Sequence, residues 1–134
     1  QIADTTAWQK QHWKSICAAY RSSPYFEFYE ADLIPFFKEE VTHLMQFNLD
    51  LLNKIMELIE FSMSYKVVEW NEHTHQRMDS LVNAKKSLEI NFDPYRQVFE
   101  EKNGFIPNLS IIDLLFNLGP DTLSYLKKHK ALIN

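Results

Sequence analysis

The clearest pattern along the chain lies between Thr42 and Phe61, where apolar and polar positions separate at helical spacing. Leu44, Leu51, Leu52, Ile55, Leu58 and Ile59 fall on one face, and Gln46, Asp50, Asn53, Lys54, Glu57 and Glu60 on the other. Met45, Phe47, Leu49 and Met56 widen the apolar side, which predicts a helix over 42–61 covered from more than one direction. A second stripe, Trp8, Ile16, Ala19 and Tyr20 with Trp13 and Cys17 alongside, predicts a helix over 7–21 that Ser22-Ser23-Pro24 stops. Tyr25 to Tyr29 reads as a short aromatic helix, and Leu33 to Glu40 as another with Pro35 in its first turn.

The pattern changes after Ser62. Tyr65 to Trp70 is rich in β-formers and Leu88 to Phe92 alternates apolar and polar, which predicts two short strands paired with each other. Asp93-Pro94 introduces a helix over 95–102, closed by Asn103-Gly104. Ser110 reads as the cap of a helix over 110–118, its hydroxyl accepting the Asp113 amide while the Asp113 carboxylate sits at the positive end of the dipole. Gly119 then supplies a left-handed cap, and Pro120 opens a last helix over 120–129. The expected fold is mainly α: one compact multi-helix domain over 1–134 with a minor two-stranded β element. The alternative is the helical part of a larger α/β domain.

Composition narrows the function classes. With 134 residues, 46% of them hydrophobic and only 2 glycines, the chain can bury a core and favours long helices over a many-turned sheet. A net charge of −4 gives no electrostatic reason to expect nucleic acid or an anionic membrane. Lys127, Lys128 and Lys130 read as favourable charge at the end of the last helix. No apolar run approaches the roughly 20 residues that span a bilayer, so no membrane span and a cytoplasmic location are expected. The lone Cys17 excludes an internal disulfide and reads as a structural thiol.

Few residues carry candidate chemistry. Trp8 and His12 lie four apart on one helical face and Tyr20 two turns beyond, an aromatic platform beside an imidazole. Such a set suits a sugar ring, with His12 as general acid or base and Trp8, Tyr20 and Asn108 as substrate-binding residues. The competing reading makes the rings core and His12 a buried hydrogen-bond donor. Tyr95 and Arg96 could hold a phosphate, against the plainer reading of an Arg96–Glu100 ion pair one helical turn apart. His73-Thr74-His75, flanked by Glu69 and Glu72, has metal-ligating residue types but reads as a solvated loop. No metal or cofactor is expected, and no glycine-rich phosphate loop is present.

Two stretches, WQKQHWKSICAAYRSSPYFEFY at 8–29 and GFIPNLSIIDLLFNLGP at 104–120, carry a family resemblance. Together they resemble the WbqC-like family of bacteria, most closely its Bacteroidetes type, over nearly the whole chain from Trp8 to Leu126. The resemblance implies a cytoplasmic protein whose relatives serve surface-polysaccharide synthesis, O-antigen in particular. It implies no settled reaction and no established catalytic residue. It also implies a further opening segment before Gln1 that this chain lacks. The functional expectation is therefore an enzyme or accessory factor acting on a sugar or nucleotide-linked sugar. The alternative is a non-catalytic helical interaction module. Trp8, Trp13, Tyr25, Phe26, Phe28, Phe36 and Phe37 crowd the first forty residues, which predicts an exposed aromatic patch and a homodimer.

Overall fold

A computed structural model describes residues 7–69, 71 and 91–129. In chain order these form α1 (Trp8–Tyr20), α2 (Phe26–Leu33), α3 (Pro35–Lys38), α4 (Leu44–Leu58), α5 (Glu100–Asn103) and α6 (Ile111–Leu118). A 3-10 turn (Gly119–Asp121) then leads into α7 (Thr122–His129). The described residues are mainly helical, and α1 packs on α3, α2 on both α3 and α6, and α6 on α7.

The core lies where α2, α4 and α6 meet. Phe26 and Leu33, Ile55 and Ile59, and Leu115 and Phe116 are buried together, ringed by Trp13, Ile16, Tyr20 and Leu51. Phe26 is the hinge of the aromatic packing, its ring 5.1 Å from Phe116 and 6.1 Å from Trp13 between centroids. Most of the crowded aromatic residues are used in this way: Trp13 also meets Phe37, and Trp8 and Phe36 both meet Phe47 edge-on. Phe28 meets Tyr25 at 6.0 Å between centroids but stays 74% exposed.

Local chemistry explains the joints. Ser23 ends α1 by donating from both its amide and its hydroxyl to the Tyr20 carbonyl, at 2.9 and 2.6 Å. Its neighbour Tyr25 then donates its amide to the Phe116 carbonyl at 3.0 Å, which fastens the turn after α1 to the end of α6. Pro35 occupies the first turn of α3, where its missing N–H is not needed. Gly119 has φ 55° and ψ −121°, positive in φ but outside the left-handed helical well. Its missing side chain matters equally, because a Cβ there would lie 2.6 Å from the Tyr25 ring.

Four expectations are corrected. The paired strands do not form: residues 61–69 have no regular structure, and among the described residues there is no strand. Val67 and Val68 are exposed without a ladder partner, and β-propensity without a partner and a face to bury makes no sheet. Leu88–Ile90, the other half of the expected pair, lie outside the described residues, as do Glu72, His73 and His75. Second, α4 stops at Leu58 because Glu60 adopts φ 55°, so that Phe61 bonds back to Met56 across the helix end. Third, α4 is well covered only toward its C-terminal end, and on one face. Ile55, Met56 and Ile59 are buried, whereas Leu44, Met45 and Leu52 are exposed. Fourth, the helix expected over 95–102 shrinks to Glu100–Asn103, and the stretch before it is irregular.

Candidate functional site

That irregular stretch is held from three sides. From α7, His129 accepts the Asp93 amide at Nε2 (3.0 Å), and its Nδ1 lies 2.8 Å from the Tyr125 carbonyl. Because an amide can only donate, Nε2 is the bare nitrogen and the proton sits on Nδ1. The Tyr125 hydroxyl donates to the Asp93 carbonyl (2.8 Å), and Lys128 pairs with the Asp93 carboxylate, holding it below the usual aspartate range. From the following loop, Ile106 exchanges two hydrogen bonds with the buried Gln97 side chain. The Gln97 amide nitrogen donates to the Ile106 carbonyl (2.8 Å), and the Ile106 amide donates back (2.9 Å).

From α6 comes Asp113. It is 3% exposed in a mostly apolar helix, and its carboxylate accepts the Tyr95 hydroxyl at 2.5 Å. Tyr20 faces the same carboxylate from α1. Burial first, and then Asp113, push the Tyr20 hydroxyl up to about 12, and Tyr95 is raised for the same two leading reasons. Both phenols are thus kept protonated as donors, the arrangement that a buried carboxylate requires. Ser110 makes no side-chain capping bond, so the expected exchange between its hydroxyl and the Asp113 amide is absent. The Asp113 amide bonds instead to the Ser110 backbone carbonyl, and the carboxylate turns inward.

Tyr95, so fixed, separates two cavities. On one side is an open polar cleft of about 920 Å³, walled by Ser22, Ser23, Arg96, Asn117, Glu100 and Glu101. On the other is a smaller, more apolar cavity of about 140 Å³, with Phe92, Asn108, Leu109, Tyr125 and His129 in its walls. The expected Arg96–Glu100 ion pair is not made. Four-residue spacing brings side chains together only on a helix, and the helix begins after Arg96. No grouping of three or more His, Cys, Asp or Glu side chains suited to a metal occurs among the described residues.

A family model describing the WbqC-like protein family matches residues 1–91 and 84–125. The chain belongs to the WbqC-like family. It is also similar to an uncharacterised protein of Mycobacterium tuberculosis, 26% identical over 155 aligned residues that take in 94% of this chain and 67% of that protein. No solved structure matches it significantly. Among the described residues of this WbqC-like chain, no helix is long and apolar enough to cross a membrane.

The four residues singled out from sequence fall in three places. Trp8 and His12 meet edge-on at 5.4 Å near the start of α1, where His12 is exposed and Trp8 also packs on Phe47. Tyr20 lies eight residues beyond His12, about 12 Å along the helix axis, and belongs with Asp113 and Phe116. Asn108, at φ 55°, is exposed on the far side of Tyr95 from the polar cleft. Sequence reasoning missed Asp113 as the anchor of the site. The available signal was a carboxylate within Ile111-Ile112-Asp113-Leu114-Leu115-Phe116, an apolar run that leaves Asp113 little chance of facing water.

Proposed function

We propose that the chain binds a sugar or nucleotide-linked sugar in the polar cleft beside Tyr95 and serves bacterial surface-polysaccharide synthesis in the cytoplasm. The observation that carries this reading is the cleft itself. Arg96, Ser22, Ser23 and Asn117 present donors and acceptors around an aromatic wall that Asp113 locks from behind. A sugar ring uses both kinds of surface, hydroxyls toward the polar groups and C–H faces toward the ring. Tyr20 supports this site through Asp113, while Asn108 would meet only a ligand that reaches past Tyr95. Trp8 and His12 form a separate ring-and-imidazole face, where His12 would act as acid or base on a group brought to that end of α1.

The test is a screen of sugars and nucleotide sugars by thermal shift, followed by titration of Arg96→Ala and Asn117→Ala. A ligand present at about 100 times its dissociation constant stabilises the folded chain by about 2.7 kcal/mol, a readily measured shift. Both substitutions should weaken binding. The exposed Arg96→Ala should do so without lowering the melting temperature of the free protein, whereas Asn117→Ala also loses the 2.8 Å bond its side chain donates to the Asp113 carbonyl. A complete screen with no shift would end the reading.

A second reading, a helical interaction module without catalysis, draws on different residues. Leu44, Met45 and Leu52 leave one face of α4 apolar and exposed, and Phe28 is uncovered on α2. This reading predicts a two-fold dimer whose dissociation on dilution is visible by light scattering, with the exposed residues of α4 at the interface. A strictly monomeric chain across the dilution series rejects it.

A further inference from the structure

The cleft wall hangs from a histidine outside it. Pro94, Tyr95, Arg96 and Gln97 line the cleft, and the residue that leads into them, Asp93, is held by His129. His129 is buried, with the Tyr125 ring 4.3 Å and the Phe92 ring 5.6 Å away between centroids. Its Nε2 faces Asp93 twice over. The Asp93 amide donates to it at 3.0 Å, and the Asp93 carboxylate lies 3.5 Å from the same nitrogen. A neutral ring can accept the amide. A protonated ring carries a hydrogen on Nε2, can no longer accept, and has the carboxylate as its new partner.

The surroundings of the ring favour this exchange. Nδ1 stays committed to the Tyr125 carbonyl in either state. Lys128, next to His129 on α7, pairs with the Asp93 carboxylate and so keeps it ionised and in place. Tyr95 shares a cavity wall with His129, but its hydroxyl is taken by Asp113. Asn108, Leu109, Ile111 and Leu114 complete that cavity from α6 and the chain before it, and bring no ionisable group. We infer that His129 is a pH-dependent latch on the cleft wall. Neutral, it holds the Asp93 amide; protonated, it exchanges that amide for the Asp93 carboxylate and loosens the backbone that carries Pro94 and Tyr95. It acts through Asp93 as a positioning residue, whatever ligand the cleft takes.

The experiment is an NMR titration of the isotope-labelled full chain, without ligand, from about pH 8 to about pH 5, the range in which histidines change charge. The His129 ring should start with its proton on Nδ1 and gain a second on Nε2. At the same midpoint the protection factor of the Asp93 amide should fall about tenfold, the loss of one hydrogen bond, and the Tyr95 ring signals should move. His129→Gln, whose side-chain oxygen accepts but does not titrate, should remove both the Asp93 and the Tyr95 transitions. Asp93→Asn, which keeps the amide and deletes the carboxylate, should displace the transition to lower pH. Circular dichroism at the starting pH checks that both variants fold, and the titration of the unaltered chain decides the matter without them. A His129 ring that stays neutral throughout, an Asp93 amide that keeps its protection while the ring titrates, or a Tyr95 ring that does not follow would each overturn the latch. None of these outcomes bears on whether the cleft binds a sugar.

Discussion

Asp113 shows how much one buried carboxylate can organise. Replacing it with alanine removes the buried acceptor of the half-buried Tyr95 hydroxyl and the carboxylate that Tyr20 faces. The expected cost is about 1–3 kcal/mol in urea unfolding, with Asp113→Asn milder because its amide oxygen can still accept. The same pair makes stability sensitive to alkali. A tyrosine whose folded pKa lies above its unfolded value of 10.0 contributes fully below that value and loses its contribution as pH rises through the folded one. Stability should therefore fall from about pH 10 to about 12 through Tyr20, and further through Tyr95. Phenolate absorbance should show these two hydroxyls ionising late, and Tyr20→Phe should flatten the alkaline slope. Gly119→Ala adds a Cβ both at positive φ and against the Tyr25 ring, so a loss of roughly 2–4 kcal/mol is expected by thermal unfolding. The need for glycine at 119 was legible from its place before Pro120. The inward turn of Asp113 was not, because a capping rule reads neighbours in sequence and Tyr95 lies eighteen positions earlier.

Among the elements, those whose apolar stripe meets a core were readable, and those fixed by distant partners were not. The spans of α1 and α6 follow their hydrophobic spacing and stop signals closely. The end of α4 departs from the pattern because Glu60 takes a conformation usually reserved for glycine, with no stop residue to announce it. The stretch from Asp93 to Gln97 carries helical residue types but gives its hydrogen bonds to α7, Asp113 and Ile106. Gln97 is the sharpest test of that account. Gln97→Leu keeps most of the volume but removes both bonds to Ile106, so a loss of about 1–3 kcal/mol is expected. Hydrogen exchange at the Ile106 amide should accelerate by more than the global stability change, because its acceptor is gone. Unchanged protection there would mean that another group holds the loop.

On the scale of the whole molecule, a helical domain was legible from the paucity of glycine and the long amphipathic stripes, while the polar cleft was not. Its walls come from the turn after α1, the stretch before α5 with the first turn of that helix, and the end of α6, parts that no sequence period relates. The expected sheet failed for a similar reason: alternation proposes a strand, and only a partner makes one. The bond from the Tyr25 amide to the Phe116 carbonyl has a consequence for how the chain acquires its shape. Phe26, Leu33, Ile55 and Ile59 find their buried neighbours Leu115 and Phe116 only after about half the chain has been passed over. A nascent polypeptide that has emerged no further than Lys66 therefore has its aromatic residues but not the surface that completes their core. Such a fragment should be collapsed and prone to aggregate. Mixing it with a peptide covering residues 91–129 should restore helical circular dichroism and solubility by complementation, and a fragment that folds unaided would place the folding nucleus within α1 to α4.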